Sequence, residues 1–271
     1  MTRSLKNIIL VLLTSGALFA DYINIPDVVT KVGTCSANWL KIESGIRGIG
    51  MGGAHVAAGD GIYASSYNPA AIGFIEGSDV YFSHSNYLAD IKHTAFGFAR
   101  QLTDTDFIGF YVFSISSGEI ERRTTEYPSG LGMFTYKTLT ISQIYTKILT
   151  DRLKVGYSLK YFREGLSEPS LSSQGFAVDI GSNFDTGIYG MILGMSVTNF
   201  GPDMQYHGDG LLTNSSPGSS PTDSLSQITQ KFPIPLTFRL GVKNDVIGEN
   251  STFYNVPGSR LTLSVDGVNA M

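Results

Sequence analysis

Apolar and polar residues alternate with period two along most of the second half of this chain. Leu153, Val155, Tyr157, Leu159 and Tyr161 oppose Lys154, Gly156, Ser158 and Lys160, and Phe176, Val178, Ile180 and Phe184 oppose Ala177, Asp179, Gly181 and Asn183. The same holds for Tyr189 to Val197 against Gly190 to Thr198, for Leu236 to Val242 against Thr237 to Lys243, and for Leu261 to Val265 against Arg260 to Asp266. Alternation of this kind predicts strands with one greasy face and one polar or very small face. Segments 79–88, 91–101, 106–116 and 133–149 also predict strands, less cleanly. Phe107–Phe113 is apolar on both faces, so it is expected to meet lipid on one side and a plug on the other. Nine or ten strands follow, the last at 259–268.

The links between strands separate the possible all-β folds. Leu102–Thr105, Thr150–Arg152 and Asp185–Gly187 read as tight, whereas 117–132, 164–174 and 201–235 read as long. Short turns at one end and longer loops at the other are the habit of up-and-down membrane barrels, and a Greek-key sandwich gives no reason for that rhythm. The 201–235 stretch is rich in breakers, including Gly201-Pro202, Pro217-Gly218 and Pro233-Ile234-Pro235, and reads as an external loop. The predicted fold class is therefore all-β, a transmembrane antiparallel up-and-down β-barrel. An odd or open set of strands would leave an unpaired edge in hydrocarbon, so the reading expects further C-terminal strands beyond residue 271.

Composition sharpens this picture. Arg3 and Lys6 precede an apolar stretch from Ile8 to Phe19, followed by small residues, which reads as a signal peptide over 1–20 cleaved after Ala20 or Ala17. Its removal takes the formal charge from −4 to −6 (two cations and no acid lost). That balance argues against a nucleic-acid partner, which wants a concentrated basic face. Only 15% of residues are charged, against roughly a quarter in soluble domains. Aromatics and glycine are plentiful, and Cys35 is the only cysteine, which reads as a lone buried thiol. An exported chain with this make-up and no later apolar run of helix-spanning length points to the outer membrane.

Gly48, Gly50 and Gly53 satisfy the spacing of a dinucleotide-binding loop, but the preceding Lys41-Ile42-Glu43-Ser44-Gly45 is no buried strand, so that reading fails. The wider block resembles another family. Val32-Gly33-Thr34, Trp39-Leu40-Lys41-Ile42, Arg47-Gly48-Ile49-Gly50-Met51-Gly52-Gly53-Ala54, Asp60 and Tyr67-Asn68-Pro69-Ala70 together resemble the PorV/PorQ family of outer-membrane barrels, within the superfamily of the fatty-acid transporter FadL. Gly61 stands where a second Asp is usual in that family, and Ala71 where Gly is common. The resemblance implies an N-terminal plug over 21–77 leading into barrel strands over 78–271. Its motif residues here are Arg47, Gly50, Met51, Gly52, Gly53, Asp60, Asn68, Pro69 and Ala70, in a structural role. Tyr63 and Tyr67, four apart, share a helical face.

Little chemistry stands out beyond this block. His55, His84, His93 and His207 lack metal-ligand spacing. His84 between Ser83 and Ser85 would suit a hydrolase only if they shared a face, which a strand forbids; these residues read as polar lumen lining. Glu119, Glu121, Arg122, Arg123 and Glu126 read as a solvated loop tip. No catalytic set, cofactor site or metal site is expected. Three functions remain: assistance to protein export beside type IX secretion machinery, as the resemblance implies; passive passage of hydrophobic small molecules; or a structural barrel without transport. The expected partners are outer-membrane lipids, with secreted cargo proteins, secretion components or hydrophobic small molecules.

Overall fold

A computed structural model describes residues 34–125, 127–214, 224–249 and 251–270; the signal-peptide reading of 1–20 lies outside them. Among the described residues nine long strands form one antiparallel sheet: β1 (Ser78–Asn86), β2 (Lys92–Gln101), β3 (Asp106–Ser116), β4 (Tyr136–Thr150), β5 (Leu153–Leu166), β6 (Leu171–Asp185), β7 (Ile192–Phe200), β8 (Thr237–Gly248) and β9 (Leu261–Ala270). Each pairs with the next in chain order, giving a simple meander. A two-residue strand, Tyr254–Asn255, adds a short parallel bridge to the tip of β8. No ladder joins β1 to β9 among the described residues. The fold is all-β in the plain sense of one large antiparallel sheet.

The links correct the expected rhythm. The stretches 117–135 and 201–236 are long and lie at the same end of the sheet, but the expected long link 164–174 shrinks to 167–170. Pairing continues through Gly165–Ser172 and Leu166–Leu171 there, so turn-like residues are absorbed into two strands of 14 and 15 residues. At the opposite end, the expected tight turn 185–187 runs to residue 191. Gly187, Tyr189 and Gly190 all take positive φ, which ends the strand geometry that the alternation had suggested from Tyr189. The β8–β9 link, 249–260, is also long at that end.

Polarity across the sheet runs opposite to that of a water-soluble sandwich. The greasy positions Val80, Phe82, Phe176, Ile180, Leu263 and Val265 are exposed. The polar face is buried: Thr138, Thr140, Ser142, Ser158, Lys160, Asp179, Asn183, Ser196, Thr237, Arg239 and Lys243. β3 is the exception, with Phe107, Tyr111, Phe113 and Ile115 turned inward beside Gly109. His84 corrects a further expectation. It lies exposed on the outer face with Val80 and Phe82 and meets Thr94 Oγ1 at 2.9 Å, rather than lining the interior.

Residues 34–77 fill the inner side. They contain the short helix α1 (Ile46–Gly50) and single helical turns at Asn38–Lys41, Ile62–Ala64 and Pro69–Phe74. This plug touches wall side chains from β1 to β9, from Asp79 to Asp266, so the sheet curls around it. The wall meets it at glycines. A methyl group on Gly156 would sit 2.6 Å from the Pro69 backbone, and one on Gly194 would sit 2.6 Å from the Ala57 backbone. Gly97 and Gly109 make room for Ile62, and Gly241 for Val56. Gly156 pairs with Gly181, and Gly194 with Gly241, so the glycines run across neighbouring strands as a continuous seat.

Because the plug backbone cannot retreat from a new methyl, Gly194→Ala is expected to cost about 1–3 kcal/mol. Unfolding followed by the fluorescence of Trp39, the chain's single tryptophan, measures it. Gly50 faces open space, so Gly50→Ala should stay within about 0.5 kcal/mol of the parent.

Candidate functional site

The plug is irregular backbone, and irregular backbone buried away from water must find hydrogen bonds outside itself. The inner face of the wall supplies them. Asp79 Oδ2 accepts from the Ile62 N–H and Asp266 Oδ2 from the Val56 N–H, both at 2.8 Å. Thr146 Oγ1 donates to the Pro69 carbonyl at 2.7 Å, and Ser196 Oγ to the Tyr67 carbonyl at 2.6 Å. Asn68 works from the other side. Its fully buried amide donates to the Val56 and Ser182 carbonyls at 2.8 and 3.0 Å, while its Oδ1 caps the Ala70 N–H at 3.0 Å. Pro69 begins the helical turn at a position that needs no N–H partner.

Two polar knots hold the ends of this segment. At the end of the 117–135 and 201–236 links, the buried Glu164 carboxylate of β5 accepts four hydrogen bonds. They come from the Trp39 indole at 2.8 Å, the Ala37 N–H at 3.2 Å, Tyr136 at 2.5 Å and Tyr206 at 2.6 Å. The Trp39 ring stands edge-on against Phe162. Burial, then the bond to Glu164, pushes the Tyr206 hydroxyl up to about 12.

Asp60 ties the other knot. It pairs with Arg47 of α1 at 2.8 Å and with Arg260, just before β9, at 3.1 Å, and it accepts from the Tyr63 hydroxyl. Burial alone would raise the Asp60 pKa; the Tyr63 bond and the two guanidinium groups outweigh it and leave the carboxyl below its ordinary value. Burial lowers and Asp60 raises Arg47, with a net rise. Tyr63 is pushed up to about 12 by burial and by its bond to Asp60.

His55 packs between Tyr63 and Tyr67, with ring centroids 5.7 and 5.3 Å away. Neither ring nitrogen has a hydrogen-bond partner. Burial, reinforced by the charge of Arg47, lowers its pKa to about 4, so the imidazole is neutral at ordinary pH. Behind the plug, Lys160 pairs with Asp179 at 2.7 Å and with Asn199 at 2.9 Å, all deeply buried. One cavity between plug and wall, beside Tyr67, Ser158 and Lys160, is about 40 Å3, room for a few ordered waters. A larger, open cleft of about 590 Å3 lies between Asp60, Phe74 and Glu76 of the plug and Lys243, Asp245 and Arg260.

The motif residues divide between these roles. Arg47 and Asp60 meet in the ion pair; Asn68, Pro69 and Ala70 are fully or almost fully buried on the glycine seat. Gly52 and Gly53 take positive φ after α1, with Glu43 packed against Gly53. Gly50 and Met51 sit at the end of α1, where a methyl on Gly50 would face open space. Sequence reasoning missed Glu164, Asp79, Asp266 and Arg260, whose partners lie from 17 to 210 residues away. The one available signal was that each acid falls on the small or polar side of its strand. Among the described residues no group of His, Cys, Asp or Glu could hold a metal. Compared with known proteins, the chain matches no family model and no curated relative.

Asn68→Ala strips the Val56 and Ser182 carbonyls and the Ala70 N–H of their buried partner. At about 1 kcal/mol for each bond, a loss of about 2–4 kcal/mol is expected in chemical unfolding. His55 sets an acid dependence. Its folded pKa is about 4 against an ordinary 6.5, so the unfolded chain binds the proton first as pH falls. The stability it contributes is complete above pH 6.5, declines between 6.5 and 4, and falls no further below 4, a total on the order of 3 kcal/mol. His55→Phe should flatten that part of the stability–pH curve.

Proposed function

We propose that this protein is an integral outer-membrane β-barrel, plugged by its own N-terminal segment, that assists protein export as the PorV/PorQ resemblance implies. The reversed polarity of the sheet carries the membrane part of this reading. Val265 and Phe176 are 76% and 68% exposed while Asp179 is fully buried. In water that arrangement would forfeit the hydrophobic driving force on one face and bury charge on the other. In a bilayer both costs vanish: the apolar face meets hydrocarbon, and the polar face meets a lumen. Irregular backbone at that depth is tolerated where protein encloses it, which is the situation of the plug.

The interior supports export more than passage of hydrophobic molecules. The greasy part of the inner wall, on β3, is already taken by Ile62 and Ile72 of the plug, which lie against Gly109. Most of the remaining lining is polar or charged. The long links 117–135 and 201–236 stand together at one end, where partner-contacting loops belong. Photo-crosslinkers placed in these two links, in outer membranes of the native host, are expected to capture secreted proteins or secretion components. Capture of no protein, together with co-extracted hydrophobic small molecules, would favour the channel instead.

A further inference from the structure

The outer face carries a feature that neither the plug nor the export reading uses. Three exposed cations, Lys92 of β2, Lys137 of β4 and Arg163 of β5, point outward at the end of the sheet that bears 117–135 and 201–236. The register places Lys92, Ser116, Lys137 and Gly165 in one row across β2 to β5. Lys92 and Lys137 are therefore two strand spacings apart, about 10 Å. Arg163 lies one outward position below that row, opposite Leu139. None of the three has an ion-pair partner among the described residues. Beside them, Lys137, Arg163, Thr135, Ser167 and Ser172, with Glu164 at its border, line a surface cleft of about 230 Å3.

Directly below the cations the same strands turn apolar. Phe96 follows Lys92 and Thr94, Leu139 and Ile141 follow Lys137, and Tyr161 and Leu159 follow Arg163, all on the outer face. Among the described residues the opposite rim carries no such row: there the outward Lys147 of β4 is neutralised by Asp106 of β3 at 2.8 Å, which leaves Arg100 of β2 as an isolated outward cation. Glu164, next to Arg163 in the chain, is buried and engaged by Trp39, Tyr136 and Tyr206 on the inner side, while Asp90 and Glu168 lie in the turns beside the row. A row of cations and hydroxyls over an apolar wall matches an amphiphilic anion, with the charge at the top and hydrocarbon beneath.

We infer that Lys92, Lys137 and Arg163 form a binding site for the phosphate headgroup of a lipid in the leaflet at the long-link end. The inference rests on the membrane reading proposed above. Native mass spectrometry of the protein in neutral detergent, titrated with phosphatidic acid, phosphatidylcholine or inorganic phosphate, tests it. Phosphatidic acid should bind at least tenfold more tightly than phosphatidylcholine, and inorganic phosphate should neither bind comparably nor compete. Substituting all three cations (Lys92→Gln, Lys137→Gln, Arg163→Gln) should remove that preference, while Arg100→Gln, an outward cation on the opposite rim, should leave it intact. Equal phosphatidic-acid binding by parent and triple variant overturns the site, as does an equal loss in Arg100→Gln. Effective competition by inorganic phosphate overturns the lipid as its occupant. Flotation with phosphatidylcholine vesicles separates the two levels: a parent protein that fails to float removes the membrane reading and this site together, whereas one that floats without the preference removes only the site.

Discussion

Irregular backbone buried inside a sheet has no hydrogen-bonding ladder of its own, and the wall of this protein is built to supply one. Asp79, Thr146, Ser196 and Asp266 each pair with a backbone group of the plug. Close approach requires that nothing stand between plug and wall, which is why Gly156, Gly181, Gly194 and Gly241 fall where the plug crosses. These two requirements, small residues for contact and polar residues for satisfaction, make the inner face as unlike a hydrophobic core as it is. Having spent the inner face on the plug, the strands have only their outer face left for apolar residues. On the reading proposed above, that outer face meets hydrocarbon rather than water.

The plug is also fixed at both ends rather than merely lodged. Glu164 collects donors from the plug, from β4 and from the 201–236 link. Asp60 joins α1 to the start of β9. Each knot brings together segments far apart in sequence, so neither closes within a single hairpin. His55, neutral between two tyrosines, contributes packing without a hydrogen bond. A charge placed there by acid would lack a hydrogen-bond partner and face Arg47, which ties the stability of the plug to pH.

Much of the wall was legible because period two is a local signal. The alternation around Tyr157, Ile180, Met195 and Leu240 assigned both faces, and the glycines of the plug seat already stood on the small side. Link lengths were less legible. Leu166 and Leu171 continue a ladder across Gly165 and Ser172 that composition alone reads as a loop, and the positive φ of Tyr189 shortens β7 where alternation would start it. In the plug, Arg47, Asp60 and the Asn68-Pro69 turn stood out within a compact motif, although the pairing of Arg47 with Asp60 did not. Their counterparts on the wall did not, because a lone Glu164 or Asp266 in a strand carries no mark of a partner more than a hundred residues away.

The central claim is that the sheet faces hydrocarbon on one side and a protein-filled polar interior on the other. Spin labels placed singly from residue 157 to 163 of β5 in reconstituted bilayers, with Cys35 replaced by Ser, test it most directly. The account predicts that collision with oxygen, which concentrates in hydrocarbon, peaks at positions 157, 159 and 161. Both oxygen and a water-soluble nickel complex should be low at 158 and 160. High nickel-complex accessibility at 157, 159 and 161 would place the greasy face in water and contradict the account.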